Sequence, residues 1–67
     1  MSPRRIGIML KTIREDKGLT QTVLAKKAKV SQPYIAKLEA GAKANPSLTA
    51  LRRIAKALGV PITKLLG

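Results

Sequence analysis

The chain contains no cysteine and no histidine in 67 residues. That absence removes disulfides, thiolate chemistry and the usual zinc ligands together. It points to a reducing, cytoplasmic setting. Acids are scarce as well: Glu15, Asp16 and Glu39 are the only three. A general base would have to come from one of them or from a lysine, and no paired carboxylates or Gly-rich phosphate loop is present, so an enzyme is not expected. Neither is a cofactor or a metal. Tryptophan and phenylalanine are missing and Tyr34 is the sole ring. Aliphatic side chains must therefore fill the core, and nothing is available to anchor a helix at a lipid interface. The apolar run Ile6 to Leu10 is too short for a signal-peptide core or a membrane span.

What is present is a strong basic excess. Fourteen Lys and Arg give a formal net charge of +11, and such a chain seeks polyanions. Charge alone does not separate DNA from RNA or anionic lipid. Hydrophobic residues make up 45% of the sequence, enough to argue against disorder. A single domain over residues 1–67 is expected, with a small core, since a chain this short buries only about 60% of its unfolded surface.

The apolar spacing predicts an all-α fold of five short helices and no strand. Ile6, Met9, Leu10 and Ile13 form a helical stripe over about Arg4 to Lys17, stopped by Gly18, with a basic arm over residues 1–5. Thr20 can cap a helix from Gln21 to Ala28. Lys29-Val30-Ser31 is then a turn, Ser31 caps a third helix, and Pro33 fits its opening turn, where no N–H is needed. That helix should end near Ala40, with Gly41 as its stop. Asn45-Pro46 marks a loop. Ser47 starts a fourth helix on the stripe Leu48, Leu51, Ile54, Ala55 and Leu58, closed by Gly59, and Pro61 opens a last helix through Leu66. Within residues 21–40, Ala25, Val30, Ile35 and Leu38 sit where two short crossing helices need apolar contacts. Gln32, Pro33, Ala36 and Lys37 fall on the opposite face of the second. Such units lay that face in the major groove of DNA. Arg52, Arg53 and Lys56 lie opposite the fourth stripe and read as a solvated face.

The ordered set Gly18-Leu19-Thr20-Gln21, Leu24-Ala25, Val30-Ser31, Ile35, Leu38-Glu39, Gly41, Asn45-Pro46-Ser47, Leu51, Ile54-Ala55, Ala57-Leu58-Gly59-Val60 and Leu65-Leu66 resembles the lambda-repressor-like, Cro-type (XRE) helix-turn-helix family. The match covers nearly the whole chain. The resemblance implies base contacts from Gln32, Pro33, Ala36 and Lys37, with Gln32 suited to adenine and Lys37 to guanine. It implies phosphate contacts from Gln21, Ser31, Tyr34, Lys43, Asn45 and Arg14, and a structural ion pair between Arg14 and Glu39. Tyr34 has a second reading, with its ring over the core and its hydroxyl wet. Some positions depart from the family pattern. Lys29 stands where the turn usually has glycine, Val23 removes the capping box, Ala40 replaces a frequent asparagine, and Lys43-Ala44-Asn45 lacks a minor-groove arginine.

The leading functional reading is a sequence-specific binder of double-stranded DNA that regulates transcription as a repressor, working as a homodimer on a near-palindromic operator. The alternative is an antitoxin-like protein-interaction module. Val60, Ile62, Leu65 and Leu66 are the candidate dimer surface under the first reading and a partner-docking patch under the second. No membrane role is expected. The end at Gly67 fits either a complete minimal regulator or a trimmed domain.

Overall fold

The computed structural model describes residues 2–42 and 46–67. Five helices follow one another: α1 (Pro3–Asp16), α2 (Gln21–Ala28), α3 (Gln32–Glu39), α4 (Leu48–Leu58) and α5 (Thr63–Leu66). No strand occurs among the described residues. α1 packs on α3 and α5, α2 packs on both α3 and α4, and α4 also meets α5. One aliphatic core lies between them, built on Ile6, Leu10, Leu24, Ile35, Leu38, Leu51, Ile54 and Leu65.

The helix boundaries follow from local chemistry. Ser2, Thr20, Ser31 and Ser47 each stand just before a helix, and their hydroxyl oxygens accept the N–H groups of Arg5, Val23, Tyr34 and Ala50. Each satisfies a donor that the first turn leaves without a partner, worth about 1 kcal/mol. Four helix ends reverse through a left-handed residue: Gly18, Lys29, Gly41 and Gly59. Each reversal is closed by the bond from the following N–H back to the helix, as in Val30 N–H to the Ala25 carbonyl at 3.0 Å. Lys29 is the only one of the four that is not glycine, at φ 58° and ψ 43°. The turn is therefore left-handed despite the side chain, and the lysine carries the steric cost of roughly 1–2 kcal/mol.

Several expectations need correction. Arg4 and Arg5 do not belong to a basic arm. Ser2 caps α1, Arg4 and Arg5 are helical, and the Arg5 guanidinium donates to the Gly67 carbonyl at 3.0 Å. The buried face of α1 is Ile6, Gly7, Leu10 and Arg14, rotated from the stripe that included Met9 and Ile13, because Arg14 finds a partner inside. Leu48 is 49% exposed and does not extend the α4 stripe. Leu65 is fully buried and belongs to the core, not to a dimer surface, because α5 must plug the gap between α1 and α4.

Gly7 explains how closely α1 can lie on α3. A Cβ there would collide with the Leu38 carbonyl oxygen and stand 2.9 Å from that of Glu39. Both obstacles are backbone, so neither can swing away. Gly7→Ala should cost about 3 kcal/mol, at the upper end of overpacking effects, read as a large drop in thermal midpoint by circular dichroism. Lys29→Gly should do the opposite. Relief of the left-handed strain, less the extra freedom of glycine in the unfolded chain, leaves about 1 kcal/mol of stabilisation. The midpoint should rise by roughly 4–8 °C, and an unchanged midpoint would contradict the strain assignment.

Candidate nucleic-acid interface

α2 and α3 are held at a fixed angle by Ala25, Ile35 and Leu38 in the core, with Val30 packed against them from the turn. This orientation turns Gln32, Pro33, Ala36 and Lys37 away from Ile35 and Leu38. Pro33 and Lys37 are exposed, and Gln32 and Ala36 are half-buried. The only acid on α2 or α3 is Glu39, and its side chain keeps just 4% of its exposure. The outward edge of α3 is therefore free of negative charge.

Glu39 is buried because Arg14 meets it from α1. The guanidinium donates from Nε to Glu39 Oε2 at 2.6 Å and from Nη2 to Oε1 at 3.0 Å. Its Nη1 donates to the Leu19 carbonyl at 2.6 Å. Glu39 Oε1 also accepts from Gln21 Nε2 at 3.0 Å, and Gln21 Oε1 accepts from Gln32 Nε2 at 2.9 Å. The direction of this relay is dictated by charge. A carboxylate only accepts, so Gln21 must turn its NH2 group toward Glu39 and its carbonyl toward Gln32. Gln32 then spends one N–H on Gln21 and retains its oxygen and its second N–H. Those two groups match the N6 donor and N7 acceptor of adenine.

Burial pushes the Glu39 carboxyl up, but hydrogen bonds from Arg14 and Gln21, with the positive charges of Arg14 and Lys11, outweigh it and hold the carboxyl below its ordinary value. The Arg14 guanidinium is raised, first by its hydrogen bond to Glu39 and against the effect of burial. A depressed carboxylate contributes stability above its unfolded value near about pH 4.3, and that contribution is lost as pH falls through the folded value. Glu39→Gln should destabilise the domain by about 3 kcal/mol at pH 7, as expected when a buried pair loses one charge. The gap from wild type should close as pH is lowered below about 4. A gap that stayed constant in chemical denaturation from pH 7 to pH 3 would show that the charge of Glu39 contributes nothing.

Arg14 needs correction as a phosphate ligand. It is 9% exposed and is committed to Glu39 and Leu19, because a guanidinium between α1 and α3 gains more from three internal acceptors than from reaching out. Tyr34 is half-buried, with its ring against the core, and its hydroxyl oxygen accepts the Ser47 N–H at 3.2 Å. It thereby ties α3 to the start of α4. Ser31 is exposed beside Gln32. Lys43 and Asn45 lie outside the described residues. Val60, Ile62 and Leu66 are half-buried around the core. The relay from Glu39 through Gln21 to Gln32 and the close approach at Gly7 were not read from the sequence. Gln21 and Gln32 open successive helices of one unit, which was an available signal. The Leu19 carbonyl had none.

Two short helices joined by the tight turn Lys29-Val30-Ser31, the second presenting a polar, acid-free edge, define a helix-turn-helix unit. The chain belongs to the helix-turn-helix family of lambda-repressor-like (XRE) type, and the family's sequence pattern, Helix-turn-helix, matches residues 10–65. It is 40% identical over 62 residues to the immunity repressor protein of Bacillus phage phi105, covering 92% of this chain and 42% of the repressor. The restriction-modification controller protein C.AhdI from Aeromonas hydrophila has the same fold, with a TM-score of 0.90, 30% identity and 94% of each chain covered. SinR, the master regulator for biofilm formation, solved in complex with DNA, superimposes with a TM-score of 0.88 at 34% identity, covering 92% of this chain and 98% of that one. The chain spans about half or less of the length of the curated relatives it matches. Among the described residues no helix is long and apolar enough to cross a membrane.

Proposed function

We propose that this domain reads a specific sequence of double-stranded DNA, as a homodimer on a near-palindromic operator, and that it represses transcription. The observation that carries the reading is Gln32, placed at the first turn of α3, on its acid-free outward edge, and pre-oriented by the relay from Glu39. Preorganisation matters because a freely rotating amide would pay ordering entropy on each contact. In this reading Gln32 pairs with adenine, Lys37 donates to guanine O6 or N7, and Pro33 and Ala36 make apolar contacts with thymine methyls. Gln21, Ser31, Tyr34, Lys43 and Asn45 hold the phosphates on either side. The positive end of the α2 dipole at Gln21 favours an anion there. Val60, Ile62 and Leu66 supply the apolar seam between two copies. The kinship with a phage immunity repressor supports repression, and the DNA-bound SinR structure supports the duplex as ligand.

Selection from a random duplex library near 150 mM salt tests this. An inverted repeat with half-site centres about one turn, roughly 34 Å, apart is expected. Gln32→Ala should weaken binding to the selected site by about 1–3 kcal/mol, roughly 5- to 150-fold, and relax preference at one base pair of each half-site. Enrichment of no sequence, or a Gln32→Ala protein with unchanged preference, would overturn the base-reading role.

A further inference from the structure

The basic excess is not spread evenly. Lys27 and Lys29 from the end of α2 and Arg53 and Lys56 from α4 surround one depression of about 380 Å³, floored by Ala28 and Ala57. No acid lines it. Glu15 and Asp16 end α1 and Glu39 ends α3, so none of the three belongs to the two helices that build this surface. None of the lining residues belongs to α3 or to the relay that orients Gln32. The sequence alone assigned Arg53 and Lys56 to a solvated face of α4. The fold brings them together with two lysines from another helix.

Four like charges held around one hollow repel one another, and only part of that arrangement has an internal reason. Lys27 and Lys56 lie in the last turns of their helices, where cations complement the negative end of the helix dipole. Arg53 lies mid-helix and gains nothing from a dipole end. Lys29 occupies a left-handed backbone position that glycine would hold without strain. The chain thus accepts both repulsion and backbone strain to keep the third and fourth charges.

We propose that this α2–α4 surface is a second polyanion site that takes the phosphate backbone of a duplex segment other than the one read by α3. The chemistry of the lining favours phosphates over a protein partner. Protein interfaces centre on aromatic and large apolar side chains with charge depleted from the middle. Here the floor is two alanines and the rim is four cations. A backbone that repeats its charges along both strands suits such a rim without any base contact. Each protein would then hold two duplex segments, one by sequence and one by charge.

The test uses the full chain carrying K27Q, K29N, R53Q and K56Q together. Asparagine is chosen at position 29 because it tolerates the left-handed backbone. A wild-type circular dichroism spectrum and a thermal midpoint no lower than that of wild type establish that the variant folds. Bead-bound duplex is mixed with protein and with a second, fluorescent duplex of unrelated sequence, and capture of the second duplex is measured. Wild type should capture it, and the variant should lose capture at least tenfold. Binding of both proteins to one short operator duplex should agree within about threefold, with salt slopes that match. Equal capture by variant and wild type would overturn the proposal, because bridging would then come from two copies each holding its own duplex. No capture by wild type would overturn it as well. If instead the variant loses single-duplex affinity and its salt slope falls by about 0.9 for each lost charge, the patch touches the same duplex as α3, and the second-segment assignment fails. Release of the captured duplex by polyglutamate at lower charge concentration than by inorganic polyphosphate would also refute it, pointing to an acidic protein as the occupant. Site selection by Gln32 is a separate readout, so loss of bridging and loss of base reading cannot be confused.

Discussion

The ion pair between Arg14 and Glu39 is where three parts of the domain are made to agree. Arg14 belongs to α1, Glu39 ends α3, and the same guanidinium holds the Leu19 carbonyl in the link that leads into α2. A buried pair of this kind adds little net stability, since desolvating two charges cancels most of their attraction, yet it is expensive to break. Its value lies in register. The two oxygens of Glu39 can be satisfied only when α1 lies over α3 at one position and Gln21 presents its amide from the start of α2. The contact at Gly7 sets the same position from the backbone side. Seven residues before Arg14, and so about two turns along the same face of α1, it lets the helix sit against the Leu38 and Glu39 carbonyls. α1 is thereby fastened to the end of α3 through both its side chain and its main chain.

That fastening reaches the reading edge through neutral groups. The negative charge of Glu39 is spent on Arg14 and Gln21 inside the domain and leaves its polarity printed on two glutamines. Gln21 cannot flip its amide without facing an acceptor with an acceptor, and Gln32 inherits the constraint one step later. A buried carboxylate two residues from the exposed Lys37 therefore does two things. It removes the one acid that could repel phosphates from α3, and it orients the residue best placed to meet a base. The carboxylate dictates the direction of the Gln21 amide only while it is ionised, because only then is it an acceptor alone, which links the acid limb of stability to the order at the start of α3.

Much of this fold was legible in the sequence because it is written in local signals. Thr20, Ser31 and Ser47 before α2, α3 and α4, glycines after α1, α3 and α4, and aliphatic spacing within the helices set the boundaries to within a residue or two. The core residues Ile6, Leu10, Leu24, Ile35, Leu38, Leu51, Ile54 and Leu58 all stood on those stripes. What escaped depended on contacts distant in sequence. The Arg14–Glu39 pair came from the family resemblance and not from local spacing, and the third contact of Arg14, to the Leu19 carbonyl, had no signal in the sequence. Gly7 reads as an interruption in an apolar run until the end of α3 is laid across it. Leu65 reads as surplus hydrophobicity on a chain too short to bury it, and only the packing of α5 against α1 and α4 shows that it is needed inside. At Lys29 the rule was known and the outcome was not. The penalty for a left-handed lysine is smaller than the cost of distorting a turn on which the α2–α3 angle depends.

The same comparison explains how charge is divided in this small domain. Neutral amides on a rigid relay can discriminate between bases, because each donor and acceptor has a fixed direction. Ammonium and guanidinium groups on flexible stems are less directional: one such as Lys37 can donate to guanine, but they also attract a phosphate backbone from any orientation and at a distance set by salt. Concentrating the oriented groups at the start of α3 and leaving cations such as Lys27, Lys29, Arg53 and Lys56 on another face keeps these tasks from interfering. On the proposed reading, a lysine crowding Gln32 would add attraction for phosphates of any sequence and erode the preference that the amide supplies. On the proposed reading the large positive charge is compatible with selectivity because the oriented group at the start of α3, the Gln32 amide, is uncharged and braced through Gln21 by Glu39.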